Sequence, residues 1–310
     1  VNAPPEFEAT PTVNVVSSSQ VEISYKVRDP DTDSGTVTPG YVTPSFQYSL
    51  DGGSTWNDAT SSCFAAGDWS NKSVSTSTYT TYTATWNPKC ETGIGANIFS
   101  TTAKVKVIVD DNEAANHIAS QSSSNFTLDT KSPVLGSVPV FVDASQQPAL
   151  ITLQATDDSS LYMKVGLNPD LSDASWQTYN STTTLSLSTD PDTVYVQFKD
   201  AYNNTSTIAS ATTPETPTAM MIQDTSNVQF TPEEYRLFIA WKIISSPSSG
   251  FSKYSIYRST DNVSYSLVST TSDINLNYYA DNNVSASTTY YYKVTSEDNN
   301  NNISYFSSVV

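Results

Sequence analysis

The chain has 310 residues, enough for two to three domains at roughly 150 each. Its hydrophobic content of 37% is supplemented by 19 Tyr, 11 Phe and 5 Trp, whose rings fill small cores, while 49 Ser and 41 Thr give a composition of strands and turns. The net charge of −17 comes from only 14 Lys and Arg against an ordinary 31 Asp and Glu. Without a basic stripe, nucleic acid and anionic lipid are excluded as partners; without an apolar run near 20 residues, so is membrane insertion by a helix.

Beginning Val1-Asn2-Ala3-Pro4-Pro5, with no Met and no apolar leader, the chain reads as a processed mature protein or a fragment. The first clear element is Gln20–Arg28, where Val21, Ile23, Tyr25 and Val27 alternate with Glu22, Ser24, Lys26 and Arg28. A period of two puts four apolar side chains on one strand face, whereas a helix would scatter them. Next comes Ser49-Leu50-Asp51-Gly52-Gly53-Ser54-Thr55-Trp56, a hairpin turn in which Asp51 bonds turn amides and Trp56 covers the hairpin. Residues 61–97 look like an inserted excursion. They hold both cysteines, Cys63 and Cys90, which are expected to form a disulfide in an oxidising compartment and to staple a loop rather than pin the core. Alternation returns at 104–109, 194–198, 237–241 and 290–294, and no sustained helical period occurs. The expected fold class is all-β.

Two landmarks recur three times in the same order. An apolar strand runs into an acidic turn at Asp110-Asp111-Asn112, at Lys199-Asp200 and at Glu297-Asp298. Earlier in each unit a turn delivers an aromatic, at Asp51…Trp56, Asp173…Trp176 and Asp261…Tyr265. Proline-bearing polar stretches at 129–133 and 213–217 act as stiff spacers. The expected organisation is three tandem β-sandwiches: 1–130 with the inserted disulfide loop, a small one over 131–213, and 214–310.

Residues 218–310 resemble a fibronectin type III domain on Leu237-x-Ile239-x-Trp241, Tyr254-Ser255-Ile256-Tyr257-Arg258-Ser259, Tyr279-Ala280-Asp281 and Thr289-Tyr290-Tyr291-Tyr292-Lys293-Val294. Residues 1–130 and 131–213 resemble the looser immunoglobulin-like modules of bacterial and archaeal surface proteins. The residues that carry this are Phe126-Thr127-Leu128-Asp129-Thr130 and Val196-Gln197-Phe198-Lys199-Asp200-Ala201-Tyr202-Asn203-Asn204. The resemblance implies stacked modules, extracellular display and Trp241 buried on the second strand of its domain; it implies no activity.

The residues themselves argue against an enzyme. The 49–56 motif fits the Asp-box of sialidase propellers, but Arg28, Arg236 and Arg258 are the only arginines and are spread over two modules, so they form no carboxylate-binding triad. A single histidine, His117, cannot assemble a multi-His zinc site and has no nucleophile elbow beside it. Carboxylates are plentiful, yet small sandwiches offer no deep cleft in which to raise an acid's pKa.

Calcium is the one cofactor to consider. Asp29, Asp31 and Asp33, with Asp110 and Asp111, flank strands that neighbour each other in a sandwich and offer hard oxygens. Asp157, Asp158 and Asp200 make a second acidic group, and solvated acidic turns are the plain alternative at both places. Candidate N-glycosylation positions are Asn71, Asn125, Asn180, Asn203, Asn204, Asn262, Asn283 and Asn302, eight sequons where 23 Asn in this composition give about seven by chance. Tyr291 and one of Tyr278 and Tyr279 are expected to face outward, either to stack on sugars or a neighbouring subunit or to pair across strands.

The expected function is mechanical and adhesive: an extracellular component of a microbial cell-surface layer, fibre or appendage. Such a chain self-associates or meets other surface proteins, and glycans as a further class, through loops and through strand edges that scarce lysine leaves unguarded. The alternatives are a carbohydrate-binding accessory segment of a secreted hydrolase, or a phage virion decoration or tail protein.

Overall fold

A computed structural model describes residues 2–31, 40–229 and 233–310. The chain divides into two compact units. Unit one is Val1–Pro133 with Asp157–Ser160 and Lys199–Thr205; unit two is Val134–Thr156, Leu161–Phe198 and Ser206–Val310.

Unit one contains β1 (Glu6–Phe7), β2 (Thr12–Ser17), β3 (Gln20–Arg28), β4 (Tyr41–Ser49), β5 (Asn57–Asp58), β6 (Lys72–Ser73), β7 (Thr80–Trp86), β8 (Phe99–Asp110), β9 (Ile118–Ser122) and β10 (Phe126–Asp129). In one sheet β3 pairs with β1, β2 and β7; the other runs β10-β8-β4-β5, with β9 also on β8 and β6 on β4. The alternation in β3 does what its period requires: Val21, Ile23, Tyr25 and Val27 are at most 2% exposed and share a core with Phe46, Trp86, Val105, Val107 and Val109. Such burial, at about 1.5–3 kcal/mol per large apolar side chain, is the main force holding the sheets together.

The excursion expected at 61–97 is not an insertion. Within it β7 pairs antiparallel with β3 from Val21↔Trp86 to Val27↔Thr80 and gives Ala84 and Trp86 to the core. Its outward positions are Thr81, Thr83 and Thr85, so only part of the strand carries an apolar signal. The disulfide Cys63–Cys90 is formed and joins two single 3₁₀ turns, Ser61–Cys63 and Pro88–Cys90. It is also more than a loop staple. Cys63 is 4% exposed and belongs to the core, next to Phe64, which stacks on Phe46 at 4.6 Å. A second tie runs beside the bridge: the buried Glu91 carboxylate accepts Thr60 N (3.0 Å) and Trp86 Nε1 (3.0 Å).

Unit two contains β11 (Val134–Asp143), β12 (Ala149–Thr156), β13 (Tyr162–Gly166), β14 (Gln177–Thr178), β15 (Thr182–Leu185), β16 (Thr193–Lys199, ending in unit one), β17 (Ala209–Thr212), β18 (Thr218–Asp224), β19 (Leu237–Lys242), β20 (Phe251–Ser259), β21 (Ser266–Thr271), β22 (Tyr278–Asp281) and β23 (Tyr291–Asp298). Sheets β11-β12-β15 and β14-β13-β16-β17 enclose one core; sheets β18-β19-β22 and β21-β20-β23 enclose another. Three strands facing three or four is the immunoglobulin and fibronectin type III arrangement. The chain is all-β, in tandem sandwiches.

In the last sandwich Trp241 on β19 is 2% exposed, and Tyr254, Tyr292 and Val294 close the core around it. Arg258 Nη1 donates to the buried Asp281 Oδ2 at 2.8 Å, and the Tyr292 hydroxyl donates to the same oxygen at 2.9 Å. Burial, reinforced by that carboxylate, pushes the Tyr292 hydroxyl far above its ordinary range.

Both stretches read as spacers begin inside the fold. Thr130 exchanges bonds with Ile98, and Thr213 with Asp192, and both threonines are at most 2% exposed. Their hydroxyls accept the amide of the residue just before β8 or β16, which ties the exit chain to the sheet it leaves.

Candidate functional site

The Asp51 turn is built from its own residues. Ser49 Oγ donates to Asp51 Oδ1 (2.7 Å) and accepts Gly53 N (2.8 Å), while Asp51 accepts Thr55 N (2.9 Å) and Thr55 Oγ1 (2.7 Å). Gly52 and Gly53 stand at φ of 77° and 96°, conformations that favour glycine. Bonds from the Thr55 amide and hydroxyl, then Ser49, favour the ionised carboxylate and hold Asp51 down at about 2. The same device recurs at Ser259 and Asp261, where Ser259, Ser264 and Val263 donate and hold Asp261 at about 2. In each case the aromatic the turn delivers lies beside a lysine: Lys106 Nζ is 3.9 Å from the Trp56 ring centre and Lys293 Nζ 4.3 Å from that of Tyr265. Lys164 Nζ stands 5.3 Å from the Trp176 ring centre. These carboxylates are committed to turn amides and hydroxyls, so they serve architecture.

Of the first acidic group, Asp29, Asp31 and Asp111 gather. Burial, opposed by the Asp31 amide and reinforced by the charges of Asp31 and Asp111, pushes Asp29 up to about 6. The N-terminal residues cover this group, with Ala3 N on Asp31 Oδ2 (2.8 Å) and Asn2 Nδ2 on Asp111 Oδ2 (3.1 Å). Asp110 is engaged elsewhere, its Oδ1 bonding Asn112 N (2.7 Å) and His117 Nδ1 (2.8 Å). Asp33 lies outside the described residues.

The described carboxylates that come to ligand spacing are Asp129, Asp157 and Asp200, all in unit one, which each place an oxygen within 4.8 Å of the other two. Asp158 instead pairs with Lys131 Nζ at 2.9 Å. Asp157 Oδ1 is held by Ser159 N and Oγ, both at 2.8 Å. Asp200 Oδ1 organises its turn by accepting Tyr202 N (2.8 Å) and Asn204 N (2.7 Å); Asn204 Nδ2 reaches Asp200 Oδ2 and the Asp129 carbonyl (3.2 Å). Two buried atoms of this cluster, Asp129 Oδ2 and Asn204 Oδ1, have no protein partner, as is also true of Asp31 Oδ1 in the first acidic group. Burial first, then the charge of Asp200, pushes Asp129 up to about 6, and burial raises Asp200 as well.

Two members of this cluster escaped sequence reasoning, since Asp129 reads as spacer and Asn204 as a sequon. The available signal is Asp-x-x-Asn-Asn, present at 200–204 and again at 298–302. Asp298 Oδ1 likewise accepts Asn300 N (2.9 Å) and Asn302 N (2.8 Å).

Six sequon asparagines, Asn71, Asn125, Asn180, Asn203, Asn262 and Asn283, are exposed. Asn204 and Asn302 are not glycan acceptors in the folded chain. They are 1% and 2% exposed, and the amide nitrogen that would carry the sugar bonds Asp200 or Asp298. On the outside of the last sandwich Tyr278 is 47% exposed and stacks on Phe238 at 5.1 Å, while Tyr279 and Tyr291 are half-buried. Strand β18 ends its sheet, with Met221 69% and Ile222 39% exposed. Among the described residues no helix is long and apolar enough to cross a membrane.

No family model and no curated protein sequence matches the chain. Solved structures similar to it include the FN1–FN3 domains of chicken CNTN1 (TM-score 0.28, 13% identity, 100% of this chain and 97% of that one covered). Domains A168–A170 of titin give a TM-score of 0.27 and 14% identity, again with 100% and 97% covered.

Proposed function

We propose that this chain is a structural and adhesive protein of a microbial cell surface, layer, fibre or appendage, whose sandwiches act as load-bearing spacers and whose sheet edges make contact. The architecture supports a multi-module structural or adhesive role, and the disulfide suits an oxidising, extracellular setting. The observation that carries the contact role is β18: a terminal strand, Thr218-Ala219-Met220-Met221-Ile222-Gln223-Asp224, exposed at all but Met220 and lacking a guarding lysine. Such an edge offers unpaired amides and carbonyls to a second copy or to another surface protein.

Sedimentation of the purified chain over a wide concentration range tests this. The wild type is expected to self-associate, and Met221→Lys, at a position too exposed to damage the core, is expected to shift it toward monomer. A wild type that stays monomeric at the highest concentrations would refute the edge contact.

A further inference from the structure

We propose that Asp129, Asp157 and Asp200, completed by the side-chain oxygen of Asn204, bind one calcium ion. The three carboxylate oxygens lie within 4.8 Å of one another, which suits the roughly 4.6–5.2 Å between opposite ligands of an ion bonded at 2.3–2.6 Å. An all-oxygen donor set selects a hard cation over a transition metal. The site does not depend on the adhesive role.

Acidic turns are common in this chain, and the first group also has an unmatched oxygen, Asp31 Oδ1, on a half-buried side chain; what distinguishes this cluster is ligand spacing together with two unmatched oxygens on fully buried side chains. Asp129 Oδ2 and Asn204 Oδ1 belong to side chains 0% and 1% exposed, and neither has a protein donor. The Asn204 amide touches both Asp200 and the Asp129 carbonyl through Nδ2, so its planar head adjoins the cluster and Oδ1 is the atom of that head left to coordinate. A buried acceptor left without a donor is destabilising, and a cation removes that cost for both.

The sister turn is an internal control. There Asn302 Oδ1 accepts Val142 N (3.0 Å), and Asp298 Oδ2 accepts Ser249 Oγ (2.5 Å) and Asn302 Nδ2 (2.8 Å). The position after β19 that would match Asp157 holds Ile243. The protein satisfies the turn that lacks the acidic partners and leaves unsatisfied the turn that has them. Nearby cations only partly offset the cluster: Lys89 feels Asp200 and Asp129, and Lys131, bonded to Asp158, also feels Asp129 and Asp157, two positive charges against four carboxylates. The carboxylate ligands lie at the end of β10 and directly after β12 and β16, so a bound ion ties together three segments distant in sequence.

Chelator-stripped protein is titrated with calcium, and separately with magnesium, by calorimetry and by melting temperature. One calcium per chain is expected, with a Kd of about 0.1–1 mM, the range of extracellular modules, and weaker magnesium binding. Asp157→Asn keeps an Oδ1 for Ser159 while removing the charge; it is expected to weaken calcium binding about tenfold or more with an unchanged far-UV spectrum. Asp129→Asn should raise the melting temperature of stripped protein, because like charges are relieved, yet lose the further rise that calcium gives the wild type. Damage to the fold would not produce that pair of effects. Asp29→Asn should leave binding unchanged. The assignment is overturned by the absence of a calcium-dependent heat or melting shift at millimolar calcium, by magnesium binding as tightly, or by loss of binding in Asp29→Asn with retention in Asp157→Asn.

Discussion

Small polar side chains do much of the structural work in this chain. Ser123, Ser206, Ser304 and Ser307 are buried, and each hydroxyl accepts a strand amide, from Val105, Phe198, Ser296 and Val294 in turn, at 2.9–3.1 Å. Each then donates to the carbonyl of the next residue. A serine here replaces a ladder bond where the edge chain leaves regular pairing. Asp51 and Asp261 act by the same economy, and their titration is a clean test. Both are held at about 2, below the 3.8 of a free side chain. Their contribution to stability is therefore present above about pH 4 and is lost as pH falls toward 2. Carboxyl NMR should find both midpoints near 2. In Asp51→Ala the acid-induced loss between those values should shrink while stability at neutral pH falls; a midpoint near 4 would show that the turn bonds are not kept in solution.

At the scale of the element, β7 and the disulfide decide the first sandwich together. Cys63 sits in the core, Trp86 closes β7 four residues before Cys90, and Glu91 bonds both Trp86 and the Thr60 amide, three residues before Cys63. The double variant Cys63→Ser/Cys90→Ser releases a loop of 27 residues, worth about 3.5 kcal/mol in the chain-entropy account. It also introduces a hydroxyl into an aromatic cluster. Denaturant unfolding should show a loss at or above that figure, against a smaller one for a bridge that only stapled a surface loop. The sequence made β3, β8, β16, β19 and β23 plain because apolar residues occupy every second position. It concealed β7 because threonines fill the outward positions and Ala84 and Tyr82 are weak inward signals. The acidic site was half legible: Asp157 and Asp200 stand out as acids after strands, whereas Asp129 and Asn204 gain meaning only when distant turns meet.

For the molecule as a whole, the open matter is whether tandem sandwiches behave as independent beads. Unit two says otherwise. Val142 N donates to Asn302 Oδ1 (3.0 Å), Ile303 N to the Val142 carbonyl (2.8 Å) and Ala144 N to the Ile303 carbonyl (3.1 Å). The Tyr305 hydroxyl adds a bond to Asp192 Oδ2 at 3.1 Å. These cross from one sandwich of the unit to the next as a short backbone seam, centred on the turn that follows β23. Unfolding either sandwich exposes the partners of the other, so the two should melt in one calorimetric transition. Asn302→Ala leaves the buried Val142 amide without an acceptor, a cost of about 1–3 kcal/mol, and should split that transition in two. Tyr305→Phe removes a single seam bond and no turn bond, so it should broaden the transition without lowering the final melting step. If the wild type already melts its two sandwiches separately, the seam carries no coupling, and the chain transmits load only through its covalent backbone.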